Sequence, residues 1–171
     1  GNGSILKELA AQKFRGSYYG VDFSEKLIGE SQRTYFSLKD SVDFRATFSV
    51  FDIVQSSWSD LPKVGEWEVV VAFAVLHHIP GGRERSGIFK NIHALLKPGG
   101  IFLFSVWQPQ NSSRLRKHIQ NWEQANLTME EVEEGDILMD WKADELKMKR
   151  TGYRYVHVYR QEELQRIASE I

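Results

Sequence analysis

Two adjacent histidines, His77 and His78, are the side chains in this sequence best suited to move a proton. They stand in AVLHHIPGG, between an apolar run and a Pro-Gly-Gly segment, which predicts a turn directly after a buried strand. A neutral imidazole near pH 7 can serve as a general base towards a hydroxyl or an amine. A purely structural use of the pair, in capping and packing the turn, stays open. Because neighbouring histidines on a turn lack partners at metal-ligand spacing, we predict no metal site there.

If the reacting group of the substrate is instead a carboxylate, it needs no base, but it needs cationic neighbours to position it. The segment RYVHVY supplies two such neighbours, Arg154 and His157. We therefore take His77, His78, Arg154 and His157 together as the candidate catalytic residues.

A second group of residues has the spacing of a nucleotide site. Gly-Asn-Gly at residues 1–3 precedes a helical pattern, and Asp22 ends a strand-like run about 20 residues later, where βαβ units hold ribose hydroxyls with a carboxylate. A surface turn and an N-capping aspartate are the alternatives. Nicotinamide cofactors share this geometry, but their fingerprint requires a small residue where this chain has Leu6. The pattern therefore favours a nucleoside ligand without a pyrophosphate.

Alternating helical and strand-like segments must position these residues. They predict βαβ units in a doubly wound, mostly parallel α/β sheet, with ligands at the carboxyl ends of its strands. The apolar run EVVVAFA at residues 68–74 is expected to form a strand covered on both faces. Helical patterns cover residues 4–13, 24–38 and 83–96, and strand patterns cover residues 17–23, 42–50, 68–74 and 101–107.

The alternation stops at residue 109. A helix is predicted from Arg114, Thr128 and Glu131 match a capping box, and residues 137–141 and 153–159 indicate an antiparallel strand pair. Insertions above the carboxyl edge of a sheet tend to select the substrate. We therefore predict a cofactor-binding core at residues 1–108, an inserted substrate-side subdomain at 109–160 and a return helix of the core at 161–171.

Composition narrows the class of protein. The chain has 171 residues, of which 42% are hydrophobic, enough for one domain with a proper core. The absence of cysteine excludes disulfides, thiolate nucleophiles and cysteine-based zinc sites. A net charge of −1 means that contact with nucleic acid would need a local basic patch. With no membrane-length apolar run and no signal-peptide pattern, we expect a cytoplasmic protein with no membrane partner, and the abrupt ends suggest a fragment.

The chain contains an ordered set of five motifs. In sequence order they are the glycine loop, the acids Asp22 and Asp52, VLHHI at residues 75–79 and LLKPGG at residues 95–100. In this order the chain resembles class I S-adenosylmethionine-dependent methyltransferases. The resemblance implies a Rossmann-like fold, S-adenosylmethionine as methyl donor and S-adenosylhomocysteine as product. The loop would hold the methionyl part, Asp22 the ribose and Asp52 the adenine amino group. The implied cofactor-binding residues are Gly1, Asn2, Gly3, Asp22, Phe23, Asp52, Ile53, Ala72 and Phe73.

The second half is similar to the wobble-uridine tRNA methyltransferases, through FSVW, GDILMDW and RYVHVY. This likeness implies a carboxymethyl group on a tRNA uridine as acceptor and a small activator protein as partner. A small-molecule acceptor, a cofactor-binding subunit without activity and a nicotinamide-dependent oxidoreductase are the alternatives. Aromatic rings could stack RNA bases and basic residues could meet phosphates, although ordinary packing and a solvated face explain them equally well. These residues are Trp107, Trp122, Trp141, Tyr153 and Tyr155, and Lys147, Lys149, Arg150 and Arg154.

Overall fold

The structure of the chain is a computed structural model that describes residues 1–142 and 151–171. It divides into two compact units, Gly1–Asp60 and Leu61–Ile171. Each unit has a parallel strand pair joined by a helical crossover, which confirms the predicted α/β class. The described strands form sheets of two, two and three strands in place of one continuous doubly wound sheet.

The first unit consists of two helices and two parallel strands. The elements are α1 (Ser4–Ala11), β1 (Arg15–Asp22), α2 (Glu25–Leu38) and β2 (Asp43–Val50). The strands pair from Arg15 opposite Asp43 to Asp22 opposite Val50. Asp22 therefore ends its strand at the carboxyl edge of this sheet, as the sequence predicts.

Helix α2 begins where the sequence predicts because the Ser24 hydroxyl accepts a hydrogen bond from the Leu27 N–H at 3.3 Å. The helix packs on β2 through Tyr35, whose ring centre lies 6.0 Å from that of Phe44 and 6.2 Å from that of Phe48. The Tyr35 hydroxyl also donates to the Phe44 carbonyl at 3.1 Å. These contacts fix α2 against the strands that carry the candidate cofactor residues.

The second unit opens with another parallel pair and its crossover helix. The elements are β3 (Trp67–Phe73), the 3₁₀ turn Leu76–His78, α3 (Gly82–Leu95) and β4 (Leu96–Ser105). Phe89 of α3 packs edge-on against Phe102 and Phe104 of β4, with ring centres 5.7 and 5.4 Å away. The helix ends at Leu95 because Leu96 is extended and begins the next strand.

The expectation that residues 68–74 are covered on both faces is wrong for the described structure. Helix α3 covers the face that carries Phe102 and Phe104, whereas the opposite face is exposed, with Ile101 at 55%. The exposed apolar side chains of that face are Val69, Val71, Phe73, Ile101 and Leu103. An apolar run identifies a strand, but it does not reveal how many of its faces are packed.

The chain then forms an antiparallel sheet in the order β5–β6–β7. Its strands are β5 (Ile119–Gln120), β6 (Asp136–Lys142) and β7 (Thr151–His157), with α4 (Ser113–Arg116) before it and α5 (Gln161–Ser169) after it in sequence. The predicted antiparallel pair and the capping box of Thr128 and Glu131 are both confirmed. No helix in the described ranges is long and apolar enough to cross a membrane.

Candidate functional site

The Gly-Asn-Gly loop is held against helix α2. Gly3 has a φ of +80° and serves as the N-cap of α1. A Cβ at this position would lie 2.9 Å from the Ser31 Cα, so both the left-handed backbone and the close approach require glycine. The Ser31 hydroxyl donates to the Gly1 carbonyl at 2.6 Å. The loop is therefore fixed with its backbone close to the helix.

Asp22 reaches this loop from the end of β1. Its Oδ1 accepts a hydrogen bond from the Ser24 N–H at 2.8 Å, and its Oδ2 accepts one from the Gly1 nitrogen. The carboxylate lies between the glycine loop and the start of α2. The structure thus brings together the loop and the acid that the sequence pairs, and their use in binding a cofactor stays a prediction.

The other predicted cofactor residues of the first unit are Phe23, which follows Asp22, and the pair Asp52 and Ile53. Phe23 is 77% exposed, which leaves its ring open to a planar ligand. Asp52 accepts from the Val54 N–H at 2.8 Å and thereby caps its own turn. Ile53 accepts at its carbonyl from the Trp58 indole N–H at 3.1 Å. The Asp52 carboxylate is engaged locally, and its contact with adenine stays a prediction.

Ala72 and Phe73 occupy the carboxyl end of β3, opposite Phe104 and Ser105. Phe73 is 53% exposed. Ala74 then takes a φ of +54° and donates its N–H to the Ser105 carbonyl at 3.1 Å. This left-handed residue ends the strand and starts the histidine turn.

His77 is fully buried on that turn. Its Nδ1 accepts from the Trp107 N–H at 3.4 Å, so in the neutral ring Nε2 carries the proton, and Nε2 has no hydrogen-bond partner among the described residues. Burial, with the charges of His78 and Arg154, lowers the pKa of His77 to about 3. His77 is therefore a neutral ring at physiological pH.

His78 is half-buried, and strand β7 holds its ring through a hydrogen bond. Its Nδ1 lies 3.0 Å from the Tyr155 carbonyl oxygen. Burial lowers the pKa of His78, and this effect exceeds the opposing effect of the bond to Tyr155. The ring is therefore neutral near pH 7, as a general base must be.

Trp107 joins three of the four predicted catalytic residues. Its indole stacks on His77 with ring centres 5.0 Å apart and meets His78 edge-on at 5.5 Å. The Arg154 guanidinium lies over the indole, 5.5 Å from its centre. We call these four residues the His–Trp–Arg cluster. From the sequence, Trp107 is predicted only as a base-stacking candidate, and its contacts with the histidines and Arg154 are not predicted.

His157 lies outside this cluster. It is 2% exposed, with Nδ1 at 2.7 Å from an Asp136 oxygen and Nε2 at 2.9 Å from a Glu163 oxygen. Both nitrogens are occupied, so neither is left for an acceptor. In the structure these contacts tie His157 to its neighbours, and its catalytic role stays a prediction.

His157 belongs to a buried ion network that the sequence analysis did not identify. Arg85, 3% exposed, binds Glu133 at 2.7 Å and Tyr155 at 3.2 Å, and the Tyr155 hydroxyl donates to Asp136 at 2.6 Å. Burial opposes the charge of Arg85, but the bond to Glu133 and nearby charges outweigh it and raise its pKa. The available signal was the spacing of Arg85, which shares the inward face of α3 with Ile88 and Ile92. Its members are Arg85, Asp136, Tyr155, His157 and Glu163, which are buried or partly buried, and Glu133, whose side chain is 48% exposed at the edge of the network.

Part of this network has the make-up of a metal site. Glu133, Asp136 and His157 each place a potential ligand atom within 4.8 Å of the others. These side chains already have partners: Glu133 binds Arg85, and Asp136 binds Tyr155 and His157. Asp136 Oδ2 also accepts from the Glu133 N–H at 3.0 Å. We therefore interpret the group as a hydrogen-bonded structural network.

The second unit has a cleft of about 460 Å³. Tyr159 lines it and donates from its hydroxyl to the Leu76 carbonyl at 3.3 Å. Its other lining residues include Gln108, Gln110, Ile119, Ile137 and Arg160. Its volume is in the range of small-molecule sites, and it lies in the second unit, which also holds the His–Trp–Arg cluster.

Several predicted nucleic-acid contacts cannot be placed. Lys147, Lys149 and Arg150 lie outside the described residues, as does the side chain of Trp141. Tyr153 and Trp122 are described: Trp122 is buried with its ring centre 6.3 Å from that of Tyr155, and the Tyr153 hydroxyl donates to Gln124 at 3.2 Å. Trp122 is thus a packing residue, and the basic stretch stays a prediction.

The two parallel strand pairs with their crossover helices are those of a Rossmann-like α/β protein. A family model described as a methyltransferase domain matches residues 1–170, and the chain belongs to this family. This membership confirms the predicted enzyme class, whose methyl donor is S-adenosylmethionine. No curated protein matches the chain.

Solved structures share the fold at low sequence identity. An S-adenosylmethionine-dependent methyltransferase of Methanosarcina mazei has a TM-score of 0.72 at 23% identity, over 99% of this chain and 74% of that one. A protein of Pyrococcus horikoshii has a TM-score of 0.63 at 18% identity, over 99% and 68% of the two chains. An S-adenosylmethionine-dependent methyltransferase of Clostridium acetobutylicum has a TM-score of 0.60 at 13% identity, over 96% and 76%. These likenesses confirm the predicted Rossmann-like fold.

Proposed function

We propose that this chain moves the methyl group of S-adenosylmethionine to an acceptor held by the His–Trp–Arg cluster. The observation that carries the proposal is that His78 and Arg154, 76 positions apart in sequence (154 − 78), both contact the indole of Trp107. A sulfonium methyl is already activated, so the protein contributes chiefly by positioning the nucleophile and excluding water. No protein nucleophile is required.

On the donor side, the proposal assigns the ribose hydroxyls to the Asp22 carboxylate and the methionyl part to the glycine loop. Asp52 takes the adenine amino group, with Ile53 near it and the exposed ring of Phe23 against the base. Ala72 and Phe73 line the cofactor pocket. The position of Asp22 at the carboxyl end of β1 and the close approach of Gly3 to helix α2 support this assignment, because they put a glycine backbone at the start of α1 and a carboxylate at the end of β1, as a nucleoside site requires.

Two acceptor classes follow from two different observations. The guanidinium of Arg154 beside Trp107 favours an acceptor with a carboxylate, such as a carboxymethylated wobble uridine in tRNA. Its base would stack on an aromatic ring, and its carboxylate would pair with the cation. Within this class a small activator protein and a cytoplasmic location are part of the proposal.

The second class is a small molecule that is methylated at an amine or a hydroxyl. The neutral ring of His78 favours it, because such an acceptor has a proton to lose as its nucleophile forms the new bond. The cleft lined by Tyr159, whose hydroxyl bonds the Leu76 carbonyl, has a volume that such a molecule could fill.

Transfer of labelled methyl from S-adenosylmethionine into bulk tRNA or into a metabolite pool tests the proposal. We expect incorporation by the wild-type chain and its loss in Arg154→Met, with no loss in the matched control Arg166→Met, whose guanidinium pairs with Glu170 on the surface. Cofactor binding without transfer to either pool would favour a cofactor-binding subunit instead. Calorimetry that detects NAD but no S-adenosylmethionine would favour an oxidoreductase.

A further inference from the structure

The contact between His78 and Tyr155 settles which ring nitrogen of His78 carries the proton. A backbone carbonyl only accepts hydrogen bonds, so the nitrogen 3.0 Å from the Tyr155 oxygen, Nδ1, must donate. In the neutral ring, Nε2 then has a lone pair and no proton. Nε2 has no protein partner in the described ranges, and it is not among the buried unpartnered atoms, unlike His77 Nε2. The lone pair of His78 Nε2 is therefore neither fully buried nor engaged by a described residue.

Tyr155 is itself anchored at its other end. Its hydroxyl donates to Asp136 at 2.6 Å and accepts from Arg85 at 3.2 Å, deep in the buried ion network. Burial and the bond to Asp136 raise the pKa of Tyr155, so the hydroxyl stays protonated. The backbone of Tyr155 is also paired with Leu138 in the β6–β7 ladder. The carbonyl that faces His78 is consequently held from the side chain and from the strand.

We infer that Tyr155 is a positioning residue that fixes His78 as the Nδ1–H tautomer, so that His78 Nε2 takes a proton from an amine or hydroxyl acceptor. This rests on the proposed function and selects the second acceptor class. The nucleophile's lone pair forms the bond to the methyl carbon, and the carbon–sulfur bond breaks with its electrons going to sulfur. The proton of the nucleophile passes to His78 Nε2, giving an imidazolium that later returns it to water. A carboxylate acceptor has no proton to give, and it would face a lone pair.

Nitrogen-15 NMR of the histidine rings tests the tautomer without any substrate. In the wild-type chain we expect His78 to have the shift pattern of a protonated Nδ1 and a bare Nε2. In Tyr155→Phe, which loses the hydroxyl anchor but keeps the ring, we expect a mixture of tautomers. The matched control is Tyr35→Phe, which removes a tyrosine hydrogen bond to a backbone carbonyl in the first unit. A wild-type ring protonated at Nε2, or a Tyr155→Phe pattern equal to that of the wild type, would overturn the inference.

Kinetics with an amine or hydroxyl acceptor separate this inference from the proposed function. We expect Tyr155→Phe to lower kcat by roughly ten- to a hundredfold, as when a group that orients a functional histidine is removed, with KM for S-adenosylmethionine unchanged. His78→Gln should lower kcat by about 10²–10⁴-fold. An unchanged kcat in His78→Gln would overturn the base assignment while the tautomer result stands. An absence of methyl transfer by the wild type to every acceptor would instead overturn the proposed function.

Discussion

The Ser31 Cα lies where a side chain on Gly3 would have to go, 2.9 Å from the position of a Cβ, and the Ser31 hydroxyl binds the Gly1 carbonyl at 2.6 Å. Helix α2 therefore restrains the glycine loop and leaves no room for a side chain at Gly3. The loop has its shape before any ligand arrives, which limits the ordering cost of binding.

Gly3→Ala should destabilise the first unit. The backbone at this position is left-handed and the new methyl group would press on the Ser31 backbone, so we expect a loss of about 1–3 kcal/mol in the free energy of unfolding. Urea denaturation measures it. Gly1→Ala is the control, since a Cβ there meets no atom within 4 Å, and an equal loss in both variants would contradict the packing described for Gly3.

Asp22→Ala should weaken cofactor binding by about 1–3 kcal/mol, because the ribose would lose charge-assisted hydrogen bonds. Titration calorimetry with S-adenosylhomocysteine measures the change. Asp43→Ala removes an exposed carboxylate at the opposite end of the same parallel strand pair and should leave affinity as it is. Unchanged affinity in Asp22→Ala would show that the ribose lies elsewhere.

The buried His77 ring should make stability depend on pH. Its pKa is about 3 in the folded chain against 6.5 as the ordinary value, so between these limits the unfolded chain binds a proton that the folded chain does not. The free energy of unfolding should therefore be highest above pH 6.5 and fall as the pH decreases, with this ring adding up to about 1.4 kcal/mol per pH unit.

Urea unfolding of the wild type and of His77→Gln between pH 7.5 and pH 4.5 checks this, with the range chosen to bracket roughly the ordinary histidine pKa. The variant should lose stability less steeply on acidification. Identical slopes would mean that His77 is solvated in the folded chain.

Breaking the buried ion network should be far more harmful than breaking a surface pair. His157→Leu leaves Asp136 and Glu163 without their shared partner, and we expect a loss of about 3–5 kcal/mol. Arg166→Ala removes an exposed partner of Glu170 and should change stability by less than about 1 kcal/mol. Thermal or urea unfolding compares the two, and a similar small loss in both would imply that the network is hydrated.

Local structure was predictable from the sequence where it depends on contacts between residues a few positions apart. Ser24 at the start of α2 and the Thr128–Glu131 capping box act over three positions, so the sequence alone locates them. The order of glycine loop, acid and histidine turn likewise identifies the enzyme class, because each feature follows a strand end. The structure places Asp22 at the carboxyl end of β1, as that order requires.

The buried ion network was not predictable in the same way. Arg85, Glu133 and Glu163 are far apart in sequence, and isolated charged residues usually indicate a solvated face. The contacts of His157 with Asp136 and Glu163 were hidden for the same reason, since the two carboxylates come from different elements. The exposed face of β3 and β4 was hidden too, because an apolar run has the same composition whether one or both faces are packed.

Strand β7 turns Arg154 towards Trp107 and the next residue, Tyr155, towards the buried ion network. A slip of one residue against β6 would exchange them, putting a guanidinium in the interior and a phenol beside the histidines. A misaligned strand would therefore lose folding free energy, because a charged side chain would replace the phenol in the interior. The packing of the interior and the placement of Arg154 beside Trp107 thus depend on the same strand register.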